Sequence, residues 1–307
     1  MASDPSIPSI QELRAAMAQT EAAGLEQLGP CPSHLGEAWI DIPLPDGQTN
    51  RTKVVWPRSS VQCPLVIYFH GGGFSMCSPD LLLAPARGFA DRFSCVVACP
   101  TLDQLPEQPF PAPVRIAWEV CAWLSDVKNL NDGVLKDAGA SVDPGRGFVV
   151  GGLSAGGAAA AVIATIPGAI AAGVEDFAGL TPLQNPITGI FSGIPYLVSE
   201  AMLPAQYRDI LKSRDEDLEN KAMNDAMRQD LESRLLVFIY GGELDQFRDD
   251  STIYAKWLSQ LEGVQVRASV LEGVGHTGWV SLLPEPATPR LKEVTLDGMA
   301  WLLNLGS

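Results

Sequence analysis

The chain has 307 residues, with 36 acidic against 21 basic side chains and a formal net charge of −15 at pH 7. Hydrophobic residues make up 46% of it and charged residues 19%, which excludes intrinsic disorder, because disorder requires low hydrophobicity as well as high net charge. The negative charge, with no basic stripe to offset it, excludes nucleic-acid binding and argues against docking on anionic membranes. We therefore expect a soluble globular protein with a large core.

The N-terminus and the cysteines both favour a cytoplasmic protein. The sequence MASDPSIPSI has no basic region and no apolar stretch of the kind found in secretory signals. The apolar segment 151–173 is rich in Gly and Ala and contains Pro167, so we interpret it as buried and expect no membrane insertion. Cys95 and Cys99 would lie ~13 Å apart along one strand, too far for a disulfide. We expect six reduced thiols and no metal site.

Local patterns predict a helix, then a hairpin, then alternating strands and helices. Ser9 and Glu12 form a capping box before the first helix, and two short runs at 39–42 and 52–56 predict a β-hairpin. The predicted strands that follow are 65–69, 95–98, 148–150, 235–240 and 264–271, and the predicted helices are 114–124, 155–166, 251–261 and 291–303. Continuous apolar strands separated by helices indicate a parallel sheet covered on both faces. The charged segment 200–232 interrupts this alternation, and we interpret it as an insertion over the sheet.

The sharpest local signal is Gly152-Leu153-Ser154-Ala155-Gly156, which follows an apolar strand and opens an Ala-rich helix. A tight turn from strand to helix leaves no room for side chains two residues before and after the serine, so both positions are Gly. The turn would place Ser154 at a helix N-terminus, where the dipole and free amides favour developing negative charge. A Gly-rich turn inside a buried strand–helix pair is the alternative interpretation.

The second signal is His70-Gly71-Gly72-Gly73-Phe74, directly after the strand at 65–69. Glycines let backbone N–H groups point into a cavity, so the amides of Gly71, Gly72 and Ala155 are candidates for an oxyanion hole. One such donor is commonly worth ~10² to 10³ in rate. The alternative, a phosphate-binding loop, requires Lys followed by Ser or Thr at its end, which this loop lacks. We expect His70 to brace the loop through hydrogen bonds.

Of the three histidines in the chain, one fits the base that a nucleophilic serine needs. His34 lies in an irregular stretch near the N-terminus, and His70 belongs to the glycine loop. His276 lies in a Gly-rich loop just beyond the last apolar strand, where a parallel sheet presents its catalytic groups. A histidine in such a loop is often structural, but beside the two glycine motifs His276 becomes the candidate base.

The acid that orients this histidine should follow the strand at 235–240. Asp245 lies near the exit of that strand and is our choice, with Glu243 in reserve. Asp249 and Asp250 precede a helical run, and we interpret them as N-cap and first-turn acids. The resulting order of serine, acid and histidine is that of α/β-hydrolases and differs from the order in the chymotrypsin and subtilisin folds.

Taken together, these motifs resemble the hormone-sensitive-lipase-like branch of the α/β-hydrolase carboxylesterases. The matching segments are HGGGF at 70–74, GLSAGG at 152–157, DQFRDD from Asp245 and GVGHTGW around His276. The resemblance covers about residues 36–305 and implies a mostly parallel eight-stranded sheet with helices on both faces. It also implies a helical cap from residues 1–35 and about 195–232, within a single domain spanning 1–307.

The resemblance implies a serine carboxylic-ester hydrolase whose catalytic residues are Ser154, Asp245 and His276, with no metal and no organic cofactor. The chain departs from the family at Leu153, where Asp is frequent, and at Gln246-Phe247, where Pro-Leu is frequent. Neither departure removes a member of the triad. These departures do weaken any inference about the substrate that is carried over from the family.

The substrate class stays open at the level of sequence. Phe74, Tyr196 and Trp279 are candidate pocket residues, with core packing as the alternative. A net charge of −15 disfavours polyanionic substrates, so a small to medium neutral ester fits better. The same triad would serve a lactone, an amide or an acyl thioester in a biosynthetic pathway, and a non-catalytic ligand receptor on this scaffold is a further alternative. We expect a monomer or a homodimer.

Overall fold

The computed structural model describes residues 8–59, 61–102, 104–197, 206, 210, 235–276 and 289–304. Its strands are β1 (Leu35–Pro43), β2 (Thr49–Pro57), β3 (Gln62–Cys63), β4 (Leu65–Phe69), β5 (Val96–Pro100), β6 (Ser141–Val142), β7 (Phe148–Leu153), β8 (Gly189–Gly193), β9 (Leu235–Gly242) and β10 (Val264–Leu271). Its helices are α1 (Ile10–Leu28), α2 (Leu83–Phe93), α3 (Ala112–Ser125), α4 (Val127–Asn131), α5 (Ala155–Ala171), α6 (Arg248–Leu258) and α7 (Pro289–Leu302). Most of the predicted cap insertion at 195–232 lies outside the described residues.

Eight of the strands form one sheet, in the order β1-β2-β5-β4-β7-β8-β9-β10. The predicted hairpin is present as β1 and β2, which pair antiparallel, and β2 pairs antiparallel with β5. From β5 to β10 every neighbouring pair is parallel. The parallel sheet indicated by the apolar runs and the eight strands implied by the family resemblance are therefore confirmed, while β3 and β6 form a separate two-stranded sheet.

The central strands of this sheet are buried on both faces, as their apolar sequences require, whereas the edge strand β10 is partly exposed. In β4, Leu65, Ile67 and Phe69 point into one hydrophobic cluster, which also contains side chains of α3, α5 and α6. The alternate residues Val66 and Tyr68 point into a second cluster with α2 and α7. All five side chains are fully buried, because successive residues of a strand face opposite sides of the sheet.

The long apolar stretch that could be misread as a membrane span forms the end of β7 and the helix α5. Twelve residues of α5 are buried, which agrees with its interpretation as a core element. Within the part of the chain that the structure describes, no helix is both long and apolar enough to cross a bilayer. The cysteines are unpaired: four are buried, and Cys31 and Cys77 are partly exposed.

The strand β8 and the helix α2 are among the elements that the sequence patterns missed. The strand β8 has the sequence GIFSG, and Gly at both ends is typical of a loop, since Gly weakens strands. The helix α2 contains Pro85 and Gly88, which also favour a loop. Both form because tertiary packing outweighs local preference: β8 pairs with β7 and β9, and α2 packs its buried face on β2 and β5.

An aromatic cluster on the α2 side of the sheet gives a stability prediction. The ring of Phe191 in β8 is fully buried and lies 5.6 Å from Tyr68 and 5.2 Å from Phe238 between ring centroids. Phe191→Ala should lower the free energy of unfolding by about 3–5 kcal/mol through lost burial and a residual cavity. Ile170→Ala, at a position 42% exposed on α5, should change it by less than about 0.5 kcal/mol. Urea unfolding measures both, and equal midpoints for the two variants would contradict the prediction.

Candidate active site

Ser154 lies in the turn between β7 and α5, in a backbone conformation that L-residues rarely adopt. Its φ is 53° and its ψ is −116°, and its amide donates a hydrogen bond of 2.8 Å to the carbonyl of Gly193. A non-glycine residue at positive φ costs free energy that the surrounding structure must supply. The turn projects Ser154 from the C-terminal end of β7 at the N-terminus of α5, as the Gly-rich motif predicts.

The glycines on either side of this serine are required by backbone packing. A Cβ added to Gly152 would overlap the backbone of Gly156, and one added to Gly156 would overlap the carbonyl oxygens of Phe69 and His70. The turn therefore packs directly against the end of β4. This close approach explains why small residues are needed two positions before and after Ser154.

The structure brings together the three residues that were predicted as a triad. The hydroxyl oxygen of Ser154 lies 3.0 Å from Nε2 of His276, and Nδ1 of the same ring lies 2.8 Å from Oδ2 of Asp245. Asp245 is 2% exposed, whereas the side chain of His276 is 29% exposed. With the Nδ1 proton donated to the carboxylate, Nε2 is free to accept the serine proton.

The acids in the loop after β9 have different hydrogen-bond partners. The second oxygen of Asp245, Oδ1, accepts a hydrogen bond of 2.8 Å from the amide of Phe247, so both of its oxygens have partners. Glu243, the reserve candidate, accepts from the amide of Gly273 at 2.9 Å and braces the neighbouring loop. The carboxylate that contacts the histidine is therefore that of Asp245.

The interpretation of the next two acids was wrong in part. The helix α6 begins at Arg248, with Phe247 as its N-cap residue, so Asp249 and Asp250 both lie in the first turn and neither is the N-cap. The helix begins earlier because the loop after Asp245 is closed by the turn bond from Arg248 N to Asp245 O, at 3.0 Å. Asp250 is fully buried and accepts a hydrogen bond of 2.7 Å from the amide of Leu197.

One residue beside the triad was missed as a candidate. The ring of Phe247 meets the imidazole of His276 edge to face, with centroids 5.2 Å apart and planes at 78°. The predicted pocket residue Tyr196 also packs on Phe247, with ring centroids 5.2 Å apart. The only signal in the sequence was the departure from the family pattern at Gln246-Phe247. The ring of Phe247 therefore limits how the imidazole can tilt.

His70 braces the glycine loop, as predicted. It is 1% exposed, its Nδ1 donates to the carbonyl of Gly71 at 2.7 Å, and its Nε2 accepts from the amide of Leu102 at 2.9 Å. This pattern requires a neutral ring, because Nε2 must keep its lone pair. Burial lowers the pKa of His70 to about 4, against the opposing effect of the hydrogen bond to Gly71.

The candidate oxyanion residues lie around the nucleophile. A Cβ added to Gly71 would lie 3.3 Å from Cβ of Ser154, so the glycine loop runs alongside the serine. Gly72 has a φ of 106°, which favours glycine, and Ala155 is the first residue of α5. Phe74 is partly buried against the core. The remaining candidate, Trp279, lies outside the described residues.

Among the residues whose positions are described, no group of three or more His, Cys, Asp or Glu side chains is arranged to hold a metal ion. The groups that the described residues bring together at the site are a hydroxyl, an imidazole, a carboxylate and a set of backbone amides. These groups can carry out nucleophilic attack on a carbonyl carbon with general-base assistance.

A family model described as alpha/beta hydrolase fold matches residues 66–280. Carboxylesterase NlhH of Mycobacterium tuberculosis is 28% identical over 300 residues, which covers 91% of this chain and 87% of that protein. Carboxylesterase 20 of Arabidopsis thaliana is 27% identical over 76% of this chain and 73% of its own length. A shorter match, to esterase LipI of Mycobacterium tuberculosis, is 35% identical but covers 37% of this chain and 33% of that protein.

Solved structures share the fold over almost the entire chain. Vibralactone cyclase superposes with a TM-score of 0.72 at 22% identity, covering 99% of this chain and 92% of that one. A thermostable esterase from Pseudomonas putida gives a TM-score of 0.68 at 19% identity, with coverage of 99% and 92%. These similarities confirm the predicted fold.

The buried His70 gives a prediction about stability and pH. Its pKa is about 4 in the folded protein against an ordinary 6.5, so between these values the unfolded chain binds a proton that the folded chain resists. This contribution to stability is complete above pH 6.5 and is lost as the pH falls toward 4. Relative to His70→Gln, the free energy of unfolding of the wild type should fall by about 3 kcal/mol between neutral pH and about pH 4.

The measurement is urea unfolding of both proteins across this pH range. Gln offers an acceptor for the Leu102 amide and does not titrate, so carboxylates that ionise in both proteins cancel in the difference. Parallel curves for the two proteins would contradict the neutral, buried state of His70.

Proposed function

Because the chain belongs to the alpha/beta hydrolase fold family, we propose that it is a serine hydrolase of the carboxylesterase type. We further propose that it cleaves a small to medium neutral ester through an acyl-enzyme. The observation that carries this proposal is the continuous set of contacts from Asp245 through His276 to Ser154, at 2.8 and 3.0 Å. Relatives that are named carboxylesterases, matched over most of their length, support the same class.

The proposed reaction follows from the orientation of the imidazole. His276 Nε2 takes the hydroxyl proton as Ser154 Oγ attacks the ester carbonyl carbon, and Asp245 holds the proton on Nδ1 throughout. The protonated ring then gives its proton to the departing alkoxide, so the C–O bond breaks and the alcohol leaves an acyl-serine. Water, activated by the same ring, attacks the acyl carbon and releases the acid together with the free serine.

The charge that develops on the carbonyl oxygen needs donors that are already in place. We assign this role to the amides of Gly71, Gly72 and Ala155. The 3.3 Å approach between a Cβ on Gly71 and Ser154 supports a position beside the nucleophile, and the start of α5 at Ala155 adds a helix N-terminus that favours negative charge.

The substrate side of the site is proposed from the aromatic residues around it. Phe74 ends the glycine loop, Tyr196 packs on Phe247 beside His276, and Trp279 follows His276 in the sequence. Apolar walls and a net charge of −15 favour a neutral ester over a polyanionic one.

The wider organisation is proposed on two supports. We propose one domain over 1–307, with cap elements from 1–35 and about 195–232, that works as a monomer or a homodimer in the cytoplasm. The contacts of α1 with the segment after the glycine loop support the first cap element. The absence of any disulfide among the six cysteines, all of which are described, supports a reducing compartment.

The first test removes the nucleophile. Wild-type protein should hydrolyse p-nitrophenyl acetate and butyrate and should be labelled by a fluorophosphonate probe, whereas Ser154→Ala should lose the labelling and at least about 10³-fold in kcat/KM. Activity is followed by p-nitrophenolate release, with labelling quantified by intact mass. Equal turnover by the two proteins would refute the proposal.

The second test separates the acid from its neighbour in the same loop. Asp245→Asn should lower kcat about 10²- to 10⁴-fold, because an amide no longer fixes the imidazole tautomer. Glu243→Gln removes a charge two residues away but only weakens a loop contact to Gly273, so it should lower kcat less than about threefold. Steady-state kinetics of both variants decide the assignment. A larger loss at Glu243 would transfer the role to that residue.

A further inference from the structure

The segment 71–78, here called the oxyanion loop, has several residues with positive φ and therefore needs stabilising contacts from the rest of the protein. Gly72 and Gly73 have φ of 106° and 62°, and the non-glycine residues Phe74 and Cys77 have φ of 55° and 74°. Positive φ at two L-residues costs free energy that the surroundings must offset. The groups that hold this backbone therefore decide where the amides at its beginning point.

Some of that support comes from the segment after β5. The amide of Leu105 donates to the carbonyl of Phe74 at 2.6 Å, and the side-chain amide of Gln104 donates to the carbonyl of Cys77 at 2.8 Å. These contacts all come from the segment after β5. Further contacts with the loop come from the N-terminal helix α1.

Arg14 of α1 joins the oxyanion loop to the segment after β5. Its Nε donates to the carbonyl of Ser75 at 2.7 Å, and one Nη donates to the carbonyl of Leu105 at 2.7 Å. The two Nη atoms also form a two-pronged ion pair with the carboxylate of Glu107, at 2.8 Å each. A guanidinium suits this task because its donors are fixed in one plane, whereas a lysine ammonium is a single point on a flexible stem.

A second anchor lies two turns further along the same helix. Glu21 is 6% exposed, and its carboxylate accepts from the amide of Ser78 at 2.9 Å and from the Ser78 hydroxyl at 2.7 Å. The helix is thus fixed at the end of the loop by Glu21 and in its middle by Arg14.

The contact at Ser75 leads directly to the proposed oxyanion donors. The amide of Ser75, the residue whose carbonyl Arg14 binds, donates to the carbonyl of Gly72 at 3.0 Å, and the amide of Met76 donates to the same oxygen at 3.1 Å. A displacement of Ser75 therefore acts on the carbonyl of Gly72. Two hydrogen bonds link the guanidinium to this carbonyl, and the amide of the same glycine is one of the donors that we assign to the oxyanion hole.

We propose that Arg14 is a positioning residue for catalysis: by holding the carbonyl of Ser75 against α1 it keeps the amides of Gly71 and Gly72 directed at the carbonyl oxygen of the substrate. This inference rests on the proposed function, since it gives the N-terminal helix a role in that same site. Its effect falls on the transition state, because the oxyanion exists only there, and so it should appear in kcat and leave KM largely unchanged.

The experiment compares Arg14→Lys and Arg14→Ala with Glu107→Gln. The last variant removes the ion-pair charge but leaves the bond from Arg14 to the Ser75 carbonyl in place. Each protein is assayed on p-nitrophenyl butyrate, with active sites counted by fluorophosphonate titration. The Ki of a trifluoromethyl ketone, which forms a tetrahedral adduct on the serine, reports on the oxyanion hole itself.

We expect Arg14→Ala to lower kcat per titrated site by about 10- to 100-fold, less than the full loss of a donor, with KM changed less than about twofold. The Ki of the trifluoromethyl ketone should rise by a similar factor. Arg14→Lys should lie between Arg14→Ala and the wild type, and Glu107→Gln should lose less than about threefold. Added methylguanidinium should restore part of the kcat of Arg14→Ala and leave the wild type unchanged.

Four outcomes would overturn the inference. Unchanged kcat and Ki per titrated site in Arg14→Ala would show that the contact stabilises the fold alone, and a fall confined to the fraction of titratable sites would mean the same. A rise in KM at constant kcat would make α1 a substrate-binding element. A wild type that neither hydrolyses the ester nor takes the fluorophosphonate would instead contradict the proposed function, and with it this inference.

Discussion

The rest of the site depends on the direct backbone contact between the turn at Ser154 and the end of β4. Gly152 and Gly156 leave no space for a Cβ against the carbonyl oxygens of Phe69 and His70. Because β4 and β7 are also paired neighbours in the sheet, the loop that follows β4 must leave beside the nucleophile. A single larger residue at either glycine would separate the serine from the amides that are proposed to stabilise the oxyanion of the tetrahedral intermediate.

The side chains that contact Ser154 in series, His276 and Asp245, come from strands further along the sheet. The acid follows β9 and the histidine follows β10, two and three strands away from β7 in the sheet order, so their loops must reach back over β8. Hydrogen bonds hold these loops in position. They join Asp245 to His276 and Phe247, and Asp250 to Leu197. Each of these buried carboxylates is hydrogen-bonded, as burial of a charge in this environment requires.

The parts that the sequence predicted are those with a local signature. The parallel strands β4, β5, β7 and β9 are mostly apolar runs, and Ser154 is marked by glycines whose spacing follows from steric exclusion. The strand β8 and the helix α2 have Gly and Pro where local preference argues against them, and they exist because neighbouring strands supply the pairing and packing. Arg14 could not be found at all: its partners are 61 to 93 residues away, and on α1 it has the same pattern as any surface cation.

Two of the contacts behind the oxyanion loop, that of His70 and the ion pair of Arg14 with Glu107, respond differently to pH, and burial explains why. His70 is enclosed, so its neutral form is favoured and its hydrogen bond to the Leu102 amide fails when the ring gains a proton. The side chain of Glu107 is 54% exposed, and the hydrogen bond from Arg14, ahead of any other contribution, lowers its pKa to about 2. The ion pair therefore persists to lower pH than the His70 contact. An exposed pair of this kind adds little to stability. Its contribution is to orient the guanidinium of Arg14 toward the Ser75 carbonyl. Acid should loosen the loop first at its β4 end, while the contact with α1 is still intact.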